Sequence, residues 1–383
     1  MNEETLRSAL VFFQSDRPSS YEEFHKGRKL DYLRKGDLTY SEFFRDFLLP
    51  NYPCILSPEF TESWRSRQRW VRGDGKPDFE HLLKNFGDFT VPVANCDVKE
   101  YNANPKHNIP LRDYLSYWSE HRESGYSSPK GCLYMKDWHM HRTPFHADVF
   151  RSYSWSANVC GRKKWLLFPP GQEEHLKDRS GNLVYDAQSP NLQDRNHYPN
   201  YSQCCQPIEV VQEVGEVIFV PSSWHHQVYN LEDTISINHN WLNGCNIDIM
   251  WQFLQGELTA VQEEIGEWKN CMEGWHQHCQ LLLKSCTGIN YCEFYTFLKI
   301  IAKNRIAALE TTSGDSSALH STFPAELSAL RPCHSMFDLH RTKAVLTLML
   351  TNEDFRRLDA DLLNPHPEDL LHEIKEMTDS ALS

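Results

Sequence analysis

Apolar positions change their period along this chain. Leu38, Phe43, Phe44, Phe47 and Leu48 recur at helical spacing and stop at Pro50, so the first fifty residues read as helical. A polar, arginine-rich stretch around Trp64 and Trp70 follows and is expected to cover a core built elsewhere. Phe89–Val93 predicts a strand and Leu111–Trp118 a short helix. From Leu133 to Trp241 the pattern turns to short β-rich runs. Ser152–Val159 and Lys164–Phe168 flank Cys160-Gly161 and predict a hairpin, while Val214–Val220 and Thr234–Trp241 predict two further strands. Between them, Gln172–Pro207 is polar and carries His175, His197, Tyr198 and Tyr201. A loop that long inside a compact domain is functional or disordered, and this one is expected to cover a substrate. Beyond Asn246 the chain is helical again. Trp251, Leu254, Leu258, Val261, Ile265, Trp268, Met272 and Trp275 alternate in steps of three and four, a heptad seam that packs on its own barrel or closes a dimer. Thr311–Ala318 reads as a linker to shorter helices.

The pattern divides the chain into a helical N-terminal cover (1–88), a β-rich core (89–245) and a helical C-terminal region (246–383). With 383 residues there is length for one large core and a smaller second region. No run of apolar residues approaches a membrane span, and MNEETLRSAL lacks the basic and apolar parts of a signal peptide. The twelve cysteines show no CxxC pairing, so reduced thiols in a cytoplasmic protein, with nuclear presence allowed, are expected. A net charge of −13 argues against direct nucleic-acid binding and favours a neutral or basic protein partner. Nineteen histidines invite a search for metal ligands.

His146-Ala147-Asp148 is the one HxD in the sequence. Residues two apart on a strand share a face, so an imidazole and a carboxylate can meet one metal there. Alone the motif is weak. Downstream, Gly215–Pro221 reads as a strand ending in a turn, and Trp224-His225-His226-Gln227-Val228 follows at once. A histidine from this segment would complete the two-histidine, one-carboxylate set of non-haem iron enzymes, which leaves cis positions open for a bidentate co-substrate and dioxygen.

Five segments together resemble the JmjC oxygenases, in particular the small protein-hydroxylase branch. They are Leu133-Tyr134-Met135, Thr143–Asp148, Gly161–Pro170, Pro221–Val228 and Ile235-Ser236-Ile237-Asn238. The resemblance implies a mainly β core with α: a double-stranded β-helix, or jelly roll, with the metal in its mouth. It implies that Fe(II), 2-oxoglutarate and dioxygen are used. The ligands implied are His146, Asp148 and His226, with His225 the runner-up for the last. Lys163 would pair with the distal carboxylate of 2-oxoglutarate, Thr143 would hydrogen-bond it, Tyr134 would assist, and Asn238 would lie near the co-substrate. Lys163 shares strand parity with Trp165 and Leu167, so an inward face is expected. Ser236, Asn238 and Asn240 share one face, as a polar barrel interior would have. Ser156 departs from the asparagine of several relatives.

Within the branch, the layout is similar to lysyl hydroxylases of the eukaryotic translation termination factor, which implies that factor as the protein substrate. Two rivals stand beside this reading. An N-methyl-lysine demethylase shares the metal chemistry, and a catalytically inactive JmjC fold would serve only as an interaction module. The C-terminal helices also admit a homodimer.

Overall fold

The computed structural model describes residues 3–13, 29–95, 98, 106–135, 144–313 and 332–380. Among them, eleven strands form three sheets. The largest has the order β1 (Asp31–Leu33), β2 (Cys54–Leu56), β9 (Val217–Val220), β6 (Tyr153–Cys160), β11 (Ile235–Trp241). A second has the order β10 (His225–Asn230), β7 (Lys163–Phe168), β8 (Ile208–Gln212). The third, β4 (Lys106–Pro110), β3 (Thr90–Asn95), β5 (Leu133–Met135), packs on helix Leu111–Glu123 through Val93, Leu111, Tyr114 and Leu115. Except for β1–β2, all the pairs are antiparallel, in keeping with a jelly-roll core flanked by helices.

The hairpin expected at Cys160-Gly161 does not form. β6 pairs with β9 and β11, whereas β7 pairs with β8 and β10, so Gly161-Arg162 carries the chain from one sheet to the facing one. A two-residue link looks like a hairpin in sequence, but here the strands turn apart to clasp the barrel. Gly161 makes the crossing feasible. Its φ is +76°, and a Cβ there would collide with the Asp233 carbonyl oxygen. Gly161→Ala is expected to destabilise the fold by about 1–3 kcal/mol, read from the midpoint of denaturant unfolding.

Other expectations also shift. The N-terminal segment is helical at Glu3–Phe12 and Tyr40–Phe43, but it also lends β1 and β2 to the large sheet. Phe43, Phe44, Phe47 and Leu48 pack on the outer side of that sheet, and Tyr153 Oη donates to the Leu48 carbonyl at 2.7 Å. The heptad seam is not one helix. Helix Ile247–Glu264 ends before Trp275 opens the next, Trp275–Thr287. Trp251, Leu254 and Leu258 are buried inside the chain's own helical core, with Trp251 stacked on Phe294. Helix Tyr291–Ser313 takes the first residues of the expected linker, and the rest of Thr311–Ala318 lies outside the described residues.

The Gln172–Pro207 insert is ordered by its own apolar residues. Leu176, Val184, Ala187, Leu192 and Tyr198 pack on Leu166 and Phe168. Those two side chains point away from the barrel interior, so the insert seals the outer face of the smaller sheet. The described cysteines are free thiols, and no helix among the described residues is long and apolar enough to cross a membrane.

Candidate metal centre

The two sheets converge on one cluster. His146, Asp148 and His226 each offer a donor atom, and the three atoms lie within 4.8 Å of one another. His146 reaches the cluster through a backbone bridge to β10. Its N–H donates to the His226 carbonyl at 3.1 Å, and the His226 N–H returns a bond to the His146 carbonyl at 2.7 Å. This exchange locks the two rings 4.4 Å apart. β10 is itself anchored by Trp224, which is fully buried and whose Nε1 donates to the Asn51 carbonyl at 2.9 Å.

The donor set fits a divalent cation. His146 Nδ1 lies 2.7 Å from the Pro144 carbonyl, and His226 Nδ1 lies 3.0 Å from the Trp224 carbonyl. A carbonyl oxygen only accepts, so both rings carry their proton on Nδ1 and keep the Nε2 lone pair for a metal. Asp148 supplies the negative charge. Burial alone would push its carboxyl up, but His226 and His146, with hydrogen bonds from Ser154 and Asn240, hold it below the usual carboxylate range. Ser154 Oγ donates to Asp148 Oδ2 at 2.5 Å, which fixes the orientation of the carboxylate.

A polar wall runs beside the ligands. Ser154, Ser156 and Asn158 alternate along β6 and face Asn240, Asn238 and Ser236 of β11. Asn240 Nδ2 donates to Ser152 Oγ at 3.1 Å, and Ser236 Oγ to Asn158 Oδ1 at 3.3 Å. Ser156 is buried, and its hydroxyl has no hydrogen-bond partner among the described residues. Asn238, directly opposite, is exposed. An orphaned buried hydroxyl on the ligand-bearing face suits a polar co-substrate.

On the smaller sheet, directly opposed residues share a face, so Leu167, Trp165 and Lys163 lie on the same side as His226. Trp165 is 5.6 Å from the His226 ring, and the Lys163 ammonium is 5.8 Å from the Trp165 ring. Lys163 is only 4% exposed. Its neighbours differ: Lys164 pairs with Glu209 at 3.0 Å and Arg162 with Glu213 at 2.7 Å, both outside the barrel. Tyr134 is half-buried on β5 opposite Ala94, in the third sheet, and Thr143 lies outside the described residues.

His225 points the other way. It is buried on the outer face with Phe145, whose ring is 5.3 Å off. Burial first, then the Arg151 charge, push its imidazole down to about 2. Sequence reasoning passed over Ser154, Arg151 and the anchoring role of Trp224. The period-two run of small polar residues in β6 was the available signal for Ser154. Arg151 left none, because its position depends on a turn.

A cupin-like domain model matches residues 119–246, the span that holds all three donors. Across the full length of both chains, this protein is 52% identical to the 2-oxoglutarate and iron-dependent oxygenase JMJD4 of Gallus gallus. It is 47% identical to the Homo sapiens protein of that name, with 93% of each chain covered. The Arabidopsis thaliana protein named arginine-specific demethylase JMJ20 is 32% identical over 76% of this chain and 74% of its own. The chain therefore belongs to the JmjC family of 2-oxoglutarate and iron-dependent oxygenases. Its cofactors are Fe(II), 2-oxoglutarate and dioxygen.

Proposed function

We propose that this oxygenase is a cytoplasmic protein lysyl hydroxylase acting on the translation termination factor. His146, Asp148 and His226 hold the iron. Lys163 takes the distal carboxylate of 2-oxoglutarate, with Thr143, Tyr134 and Asn238 completing its pocket. The observation that carries the chemistry is the cluster of two Nδ1-protonated imidazoles and one ionised carboxylate on the inner face of the barrel. When bound, iron with 2-oxoglutarate and dioxygen supplies the power to oxidise a C–H bond, and succinate and carbon dioxide are the co-products.

The chain's own residues orient and exclude water. Ser154 and Asn240 hold the Asp148 carboxylate, the backbone bridge holds both imidazoles, and Trp165 and Leu167 form an apolar floor beside His226. The substrate assignment draws on the five-segment resemblance and on the net charge of −13, which attracts a locally basic protein surface.

A second reading is N-demethylation, favoured by the relative named as an arginine-specific demethylase. It needs only that the hydroxylated carbon be bonded to nitrogen. Incubating the enzyme with the termination factor, and separately with methyl-lysine and methyl-arginine peptides, separates the two by mass spectrometry. The hydroxylase reading expects one added oxygen on a lysine of the factor. Loss of methyl groups from the peptides with an unmodified factor would replace it.

A further inference from the structure

We propose that Arg151 and His225 form a clasp on the outer face of the barrel that sets the spacing between Asp148 and His226, making both of them positioning residues for the metal. The proposal rests on the assignment of those ligands to iron.

Asp148 and His226 come from separate stretches of chain, and each has one of these residues close by. Arg151 follows Asp148 by a single tight turn, closed by its own N–H donating to the Asp148 carbonyl at 3.0 Å. His225 is the neighbour of His226 in β10, and alternation along the strand sends its ring to the opposite face. Arg151 Nη1 donates to His225 Nε2 at 3.3 Å. A guanidinium can only donate, so His225 accepts at Nε2 and carries its proton on Nδ1. That Nδ1 lies 3.6 Å from Glu173 Oε2, too far for a hydrogen bond, and the Glu173 carboxylate accepts instead from the Gly171 N–H at 2.7 Å.

The turn bearing Arg151 does not hold its shape unaided. Phe150 and Arg151 both sit at φ 55°, a left-handed conformation that side-chain-bearing residues avoid. Such a turn persists only where its surroundings hold it in place. Here Phe150 packs into the C-terminal helical core, and the Arg151 guanidinium lies 5.3 Å over the Phe253 ring. Glu173, Glu174 and Glu257 are the carboxylates that act on Arg151. The metal's carboxylate is therefore tied through one arginine to the strand bearing its second histidine. The paired histidines of Trp224-His225-His226 divide the work, one inward and one outward.

The test is an anaerobic Fe(II) titration of the full chain with 2-oxoglutarate present, read from the visible charge-transfer band. Arg151→Met keeps a stem over Phe253 and loses the donor, and His225→Leu loses the acceptor. Each is expected to weaken Fe(II) binding by about ten-fold, the low end for residues supporting metal ligands, and the double variant is expected to be no weaker than either single. The 2-oxoglutarate requirement of the iron-saturated variants should stay at the wild-type value, which a general loosening of the barrel would not allow. Fe(II) affinity within about two-fold of wild type in a folded Arg151→Met, or fully additive losses in the double variant, overturns the clasp. If Arg151→Met does not fold, a folded His225→Leu, which loses the acceptor, is held to the same threshold. Asp148→Ala is titrated alongside. If it too binds iron normally, the ligand assignment has failed, whereas loss there with retention in the Arg151 variant condemns the clasp alone.

Discussion

Asp148→Ala is expected to reduce succinate formation from 2-oxoglutarate to background, with or without protein substrate. Asp148 is the sole anionic member of the cluster. Two neutral imidazoles bind a divalent cation weakly, and outer partners that merely orient ligands already cost 10–100-fold when removed, so loss of the carboxylate itself exceeds that. Ser154 and Asn240, which now hydrogen-bond the carboxylate, would be left facing a gap that they cannot fill as ligands. The thermal midpoint of the metal-free variant checks that the barrel still folds. Succinate produced at a wild-type rate by the folded variant would remove Asp148 from the metal site.

Lys163→Ala is expected to raise the 2-oxoglutarate requirement by about two decades or more while leaving Fe(II) binding nearly intact. Breaking a buried ionic contact costs about 3–5 kcal/mol, and each 1.4 kcal/mol is a factor of ten. Lys163 is buried on the His226 face, whereas Lys164 already has Glu209 outside the barrel. Lys164→Ala is therefore the control, expected to change the requirement little. Measuring the initial rate against 2-oxoglutarate concentration for both variants decides the matter. An unchanged requirement in Lys163→Ala would hand the carboxylate contact to another group.

The family and its metal chemistry were legible because ligand residues must recur at fixed spacing and the motifs lie close together in sequence. The inward parity of Lys163 with Trp165 and Leu167 could be read that way, whereas His146 and Asp148, expected two apart on a strand, lie outside any strand, with His146 held by a single bridge to His226. Long-range packing could not. β1 and β2 have three residues each, too few to show a period, and only the pairing of β1 to β2 and of β2 to β9 makes them strands. Gly161-Arg162 has the length of a hairpin turn, and nothing local says that β6 and β7 join different sheets. The heptad spacing was real, but the same apolar spacing serves a helix buried among its neighbours. The Gln172–Pro207 insert was expected to cover a substrate. Its apolar residues, however, face the outer side of β7, away from the donors. Arg151 was invisible because its contact with His225 depends on two consecutive left-handed residues.

Crystals grown anaerobically with Fe(II) and 2-oxoglutarate, measured at the iron absorption edge, test the central claim most directly. The account predicts one strong anomalous peak within bonding distance of His146 Nε2, an Asp148 oxygen and His226 Nε2. The distal carboxylate of 2-oxoglutarate would sit on the Lys163 ammonium. A peak ligated by His225, or iron bound away from Asp148, would contradict it.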